Sequence, residues 1–183
     1  MKNLLLALSV SAFASLSLAP SPIAAVREVD VPWHLVEPLV GTWKGEGRGP
    51  AGVSEVELAC ERVLAGRFLS LRAKAVFAGN EAHPEGEVHE DWAMLSYDSG
   101  REVFVLRGFY SEGYVNTYVL DMERAYDGEL VFTSESSENA PPGMRARLTM
   151  TLVEGDVLEE SLELALPGGD FSLCVSTSLE RRP

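Results

Sequence analysis

From about residue 40 onward, apolar and polar residues alternate along most of the chain. Met144, Ala146, Leu148, Met150 and Leu152 fall on one side of a segment whose other side carries Arg145, Arg147, Thr149 and Thr151. In the next segment Leu158, Leu162, Leu164 and Leu166 oppose Glu159, Ser161 and Glu163. A period of two is that of a strand with one oily and one wet face. Turn signals interrupt this pattern at intervals of roughly ten residues. They fall at Arg48 to Gly52, Leu64-Ala65-Gly66, Gly79 to Glu85, Asp98-Ser99-Gly100 and Ser111-Glu112-Gly113, then at Tyr126-Asp127-Gly128, Pro141-Pro142-Gly143, Glu154-Gly155-Asp156 and Pro167-Gly168-Gly169. The turns separate about ten strands and leave no gap long enough for a crossover, so the expected sheet is an antiparallel meander.

An open sheet of that size would have two bare edges and an unprotected apolar face. Closure removes both problems. The expected fold is all-β, an antiparallel up-and-down barrel of about ten strands. A short helix is expected ahead of the first strand, with Asp30 as its cap and Pro32 in its first turn. Trp33, Leu35, Val36 and Leu39 would give it an apolar side to plug one barrel end, and Gly41 would stop it.

The first 25 residues do not fit this pattern. Lys2 is the only charge before Arg27, and Leu4 to Leu18 is a run of apolar and small residues. That is the layout of an export signal, with Ile23-Ala24-Ala25 as the expected cleavage site. The run is too short and too rich in Ser and Ala for a stable span, which needs about 20 strongly apolar residues. Residues 26–183 are therefore expected as a single exported domain, periplasmic or secreted, with no membrane span in the mature chain. The net charge of −13, from 15 basic and 28 acidic residues, argues against nucleic acid and anionic membranes as partners. Cys60 and Cys174 are the only cysteines. An oxidising compartment would allow a disulfide between them, and two separate thiols are the alternative. Neither has a Cys or His partner at zinc-ligand spacing.

In "GTWKGEG" the positions Trp43, Gly45 and Gly47 share one face. Glycines there leave room inside and let the strand bend. Strict alternation in the last strand puts Phe171, Leu173, Val175, Thr177, Leu179 and Arg181 on one face, and Cys174 outside with Ser172, Ser176 and Ser178 unless a bulge intervenes. Pairing of first and last strands would lay Arg181 across the Trp43 ring, a cation–π contact worth about 0.5–2 kcal/mol. A Gly-x-Trp on the first strand with a basic residue on the last resembles the calycin superfamily of lipocalins and fatty-acid-binding proteins. Within it, "LVEPLVGTWKGEGRG", "LAGRFL", "MLSYDSG", "GMRARLTMTL" and "SLERR" are most similar to the exported nitrobindin-like haem-binding barrels. That resemblance implies haem, ligated by a histidine on the last strand. Here the strand is "DFSLCVSTSLERR" and has no histidine. Cys174 is nearest the missing position, and thiolate can bind haem iron.

His34, His83 and His89 are too dispersed for a metal site. His89 is a second, weak haem candidate if it faces inward, and Trp92, of opposite parity, is a lumen candidate on the same strand. Glu160 shares the face of Leu158, Leu162 and Leu164, where a carboxylate needs a partner or a proton. Arg107, between Val105 and Phe109, could grip a ligand carboxylate from inside; both residues could equally face solvent. Tyr114, Asn116 and Tyr118 share a face of the sixth strand and could line a pocket with polar tips on aromatic bodies. No nucleophile elbow, zinc-protease motif or phosphate loop occurs. Three readings remain: a non-enzymatic barrel for a small apolar or amphipathic ligand, a haem protein acting on reactive nitrogen or oxygen species, and an interaction domain with a filled lumen.

Overall fold

A computed structural model describes residues 30–79 and 84–183; the expected export segment, residues 1–25, and His83 lie outside the described residues. Ten antiparallel strands close into a barrel. They are β1 (Gly41–Gly49), β2 (Gly52–Val63), β3 (Phe68–Phe77), β4 (Glu87–Asp98) and β5 (Val103–Tyr110), followed by β6 (Val115–Leu120), β7 (Glu129–Glu138), β8 (Arg145–Val153), β9 (Val157–Ala165) and β10 (Ser172–Arg182). Each strand pairs with its sequence neighbour, and β1 closes on β10. The meander expected from the alternation is the architecture found.

The plug precedes β1 as two single-turn 3₁₀ segments, Trp33–Leu35 and Glu37–Leu39, in place of a continuous α-helix. Pro38 lies inside the second turn, where it has no N–H to donate to a longer ladder. Asp30 does not cap the first turn, whose N-terminal residue is Pro32 with no side-chain hydrogen bond. The plug still buries Val36 and Leu39 completely against the barrel floor. Among the described residues the one α-helix, α1 (Met122–Tyr126), sits between β6 and β7, where alternation alone suggests only a turn. Asp121 caps it by accepting from the Arg124 amide at 3.1 Å.

The seam is where the Gly-x-Trp reading holds. Trp43 is paired with Arg181 in register, and the guanidinium lies 4.0 Å from the indole centroid. Arg181 also donates to the carbonyls of Val40 and Pro38, both at 2.8 Å, which ties the last strand to the plug. The Trp43 indole N–H donates to the Leu39 carbonyl at 2.9 Å. At Gly45 a Cβ would stand 2.0 Å from the Ser178 carbonyl oxygen, so β1 and β10 approach closely only because this residue has no side chain.

β10 departs from strict alternation. A bulge between Leu173 and Val175 inserts Cys174 as the extra residue. Val175, Thr177, Leu179 and Arg181 keep the inward face, but Leu173 becomes exposed and Phe171 lies under the outer guanidinium groups of Arg145 and Arg147, 4.9 and 4.3 Å from their carbons. Both cysteines are free thiols. Cys60 is in register with Gly41 and Cys174 neighbours Gly49, the two ends of β1, separated by about 26 Å at 3.3 Å per residue. The disulfide alternative therefore fails on distance. Burial, helped by Glu37 and Glu61, pushes the Cys60 thiol up to about 12 and keeps it protonated.

Candidate functional site in the barrel lumen

Toward the floor, the inward side chains are fully packed: Trp43, Leu69, Leu95, Phe104, Leu158 and Leu179 are all essentially inaccessible. Toward the opposite mouth this changes. Ala75, Asp91, Ala93, Leu162, Val175 and Thr177 point inward by register yet remain partly accessible. Ser54, Val56 and Ala146 at the same end are buried, so packing of the upper lumen is looser on the β3, β4, β9 and β10 side than at the floor. The cause is local: "RAKAVF" and "WAML" place Ala73, Ala75 and Ala93 where larger residues would fill the space, and Gly108 follows on β5. A Cβ at Gly108 would come within 2.8 Å of the Tyr110 hydroxyl, which folds back over it.

A polar cluster lines this space. The Asn116 amide nitrogen donates to the Tyr118 hydroxyl at 3.0 Å, and the Tyr118 and Tyr110 hydroxyls are 3.0 Å apart. Burial raises the pKa of both phenols, so they stay protonated. Glu160 faces inward between Met150 and Thr177. Burial, together with the nearby Asp91 carboxylate, pushes it up to about 7. Asp91 is itself pushed up to about 6 by burial and by Glu112, against opposing help from His89 and the Ser111 amide. Three side-chain atoms of the wall are buried without a partner among the described residues: Asp91 Oδ1, Asn116 Oδ1 and Thr177 Oγ1.

His89 does face inward, paired across strands with Ala75. Its Nε2 lies 3.3 Å from Glu87 and its Nδ1 contacts Glu112. Partial burial opposes its charge, but the two carboxylates outweigh this and its pKa is raised. At the sealed end, a separate apolar cleft of about 340 Å³ lies between the plug and α1, lined by His34, Leu35, Ala125 and Met150.

Of the residues singled out from sequence, Asn116, Tyr118 and Glu160 meet in the lumen. Tyr114 sits beyond the end of β6, more exposed, at the rim. Arg107 and Trp92 need correction. Arg107 lies on the outer wall with Val105 and Phe109, donating to the Ser96 hydroxyl at 3.1 Å. Trp92 is also outside, 60% exposed, with the Arg72 guanidinium 4.7 Å from its ring. Sequence reasoning missed Asp91, Tyr110 and Thr177. The available signal was parity: Asp91 shares the face of Ala93 and Leu95, as Glu160 shares that of its leucines.

These residues do not fit haem. Both ring nitrogens of His89 are engaged by carboxylates, Cys174 is the extra residue of a bulge, and Asp91 and Glu160 bring two acidic groups into the lumen. Among the described residues, no three His, Cys, Asp or Glu side chains are grouped to hold a metal ion.

No protein-family model matches the chain, and no curated protein matches it significantly. Solved structures do match in shape. The crystal structure of Rv2717c from M. tuberculosis covers 82% of this chain and 97% of its own, with a TM-score of 0.59 at 17% identity. The S-type phycobiliprotein lyase CPES from Guillardia theta covers 82% and 91%, with a TM-score of 0.50 at 15% identity. At such identities the likeness defines the fold alone, a closed antiparallel β-barrel. No helix among the described residues is long and apolar enough to cross a membrane.

Proposed function

We propose that this protein is an exported barrel that binds a small amphipathic molecule in its upper lumen. The observation that supports this best is the set of inward side chains toward the mouth that remain partly accessible. The lumen wall there is apolar at Leu162, Leu164 and Val175 and polar at the cluster of Asn116, Tyr118, Asp91 and Glu160. Apolar enclosure supplies the driving force and a few fixed polar groups supply orientation, the usual division of labour in a ligand pocket. A lumen filled by its own side chains fits poorly with the alanines at Ala73, Ala75 and Ala93. Haem as the ligand, which the nitrobindin-like resemblance implies, is the second reading, and the occupied ring nitrogens of His89 favour it less.

The test uses a neutral, environment-sensitive dye, Nile red, titrated into the purified protein. Saturable one-to-one enhancement of its emission is expected, and it should disappear in Ala75→Phe and Ala93→Phe, which fill the lumen without touching the floor. Absence of saturable binding, or binding that survives both substitutions, would overturn the lumen as the site.

A further inference from the structure

The polar cluster does more than orient a ligand; its hydrogen-bonding inventory is lopsided. Asn116, only 8% exposed, directs its amide nitrogen at the tyrosine hydroxyls, and its carbonyl oxygen is left buried without a donor. Asp91 Oδ1 is left in the same condition. Glu160 adds a partly buried carboxylate that feels the repulsion of Asp91 and, among the described residues, has no side-chain hydrogen bond. Against these acceptors the walls offer few protons. Tyr110 and Tyr118 share two hydroxyl protons, one of which is used between them, and Thr177 supplies one more beside Glu160. Unmet buried acceptors each cost about 1–3 kcal/mol, more when charged. A ligand that brings donors and positive charge removes that cost.

We infer that the lumen selects an amphiphile whose polar end is a protonated primary or secondary amine, held by Asp91, Glu160 and the Asn116 carbonyl, with its apolar tail along Leu162, Leu164 and the alanines of β3 and β4. The inference rests on the lumen being the ligand site. An ammonium carries two or three donors and a full charge, matching the number and kind of orphaned groups. A carboxylate ligand would add a third negative charge beside two that already repel each other. An uncharged alcohol would satisfy one acceptor and leave the rest. The lysine-like pKa of an alkylamine keeps it charged at pH 8, where Asp91 and Glu160 are ionised. His89, Glu87 and Glu112 stand nearer the mouth as an ion cluster and balance part of their own charge.

The test compares decylamine, decanol and decanoic acid by isothermal titration calorimetry at pH 8 in 0.5 M salt, which screens the general attraction of an acidic surface. Decylamine is expected to bind at least about tenfold more tightly than decanol, with decanoate weakest; charge-assisted bonds of this kind account for such a ratio. In the Asp91→Asn, Glu160→Gln double variant the amine advantage should fall to about twofold or less while decanol affinity holds. If that variant does not fold, the two single variants and the order of the three ligands on the unaltered protein decide. Decanol or decanoate binding as tightly as the amine, or an amine preference that survives loss of both carboxylates, would overturn the inference while leaving the lumen as a site. Binding of none of the three would overturn both.

Discussion

Trp43 and Glu160 both point into the same barrel, yet they act on stability in opposite ways. The indole is wholly buried, covered by Arg181, and has its N–H satisfied by Leu39. Trp43→Ala is expected to cost about 3–5 kcal/mol, read as a lower urea midpoint; a near-neutral result would reject its role as the floor staple. Glu160 is a liability in the ligand-free protein. Its folded pKa, about 7, lies above its usual value of 4.5, so the folded state prefers the protonated form. Stability is therefore retained below about pH 4.5 and lost as pH climbs through 7. Asp91, raised to about 6, and His89, also raised, change stability in the same direction; Glu87, Glu112 and the two phenols are the titratable groups facing them. Glu160→Gln should stabilise the empty barrel by on the order of 3 kcal/mol at pH 8 and by about a third of that at pH 5. Thermal melts of both proteins across that range check it; a gain independent of pH would contradict the assignment.

Among the strands, legibility in the sequence depended on whether one face was polar. β8 and β9 alternate cleanly, so the face that Glu160 shares with its leucines is readable from sequence, but whether its carboxylate turns to solvent is not. β5 is apolar on both faces, and Val105 is buried although it lies on the outer wall; hydrophobicity there carries no direction, so the side taken by Arg107 is not readable from it. β10 and the β6–β7 pair contain register shifts, at Leu173/Val175 and Thr117/Tyr118, and one extra residue reverses every side chain beyond it. That is why Phe171 and Leu173 turned outward. The seam shows the other side of this: Gly45 could be read as a bend, but only the fold shows the Ser178 carbonyl against it. Gly45→Val should prevent close pairing of β1 and β10. Hydrogen exchange is expected to show lost amide protection in those two strands, spreading least to β4–β7, and unchanged protection would refute the close-approach argument.

For the molecule as a whole, the closed meander was legible because edges and faces must be covered somehow. The occupied and empty parts of its interior were not, since they depend on which residues sit at equal height on strands distant in sequence. Asp91, Tyr110, Asn116 and Glu160 belong to four different strands, and no local pattern announces their meeting. The same topology orders events in time. Nine of the ten strand pairings join neighbours in sequence, whereas Thr42 finds Arg182 across nearly the whole barrel. Local pairings form early and distant ones pay their loop-closure entropy late. The indole–guanidinium contact thus belongs to the last step of folding and the first of unfolding. Stopped-flow measurements on Trp43→Ala should show its destabilisation almost entirely as faster unfolding, with the refolding rate little changed. Arg181 and Trp43 then act as a latch, setting how long the barrel stays shut once it has closed.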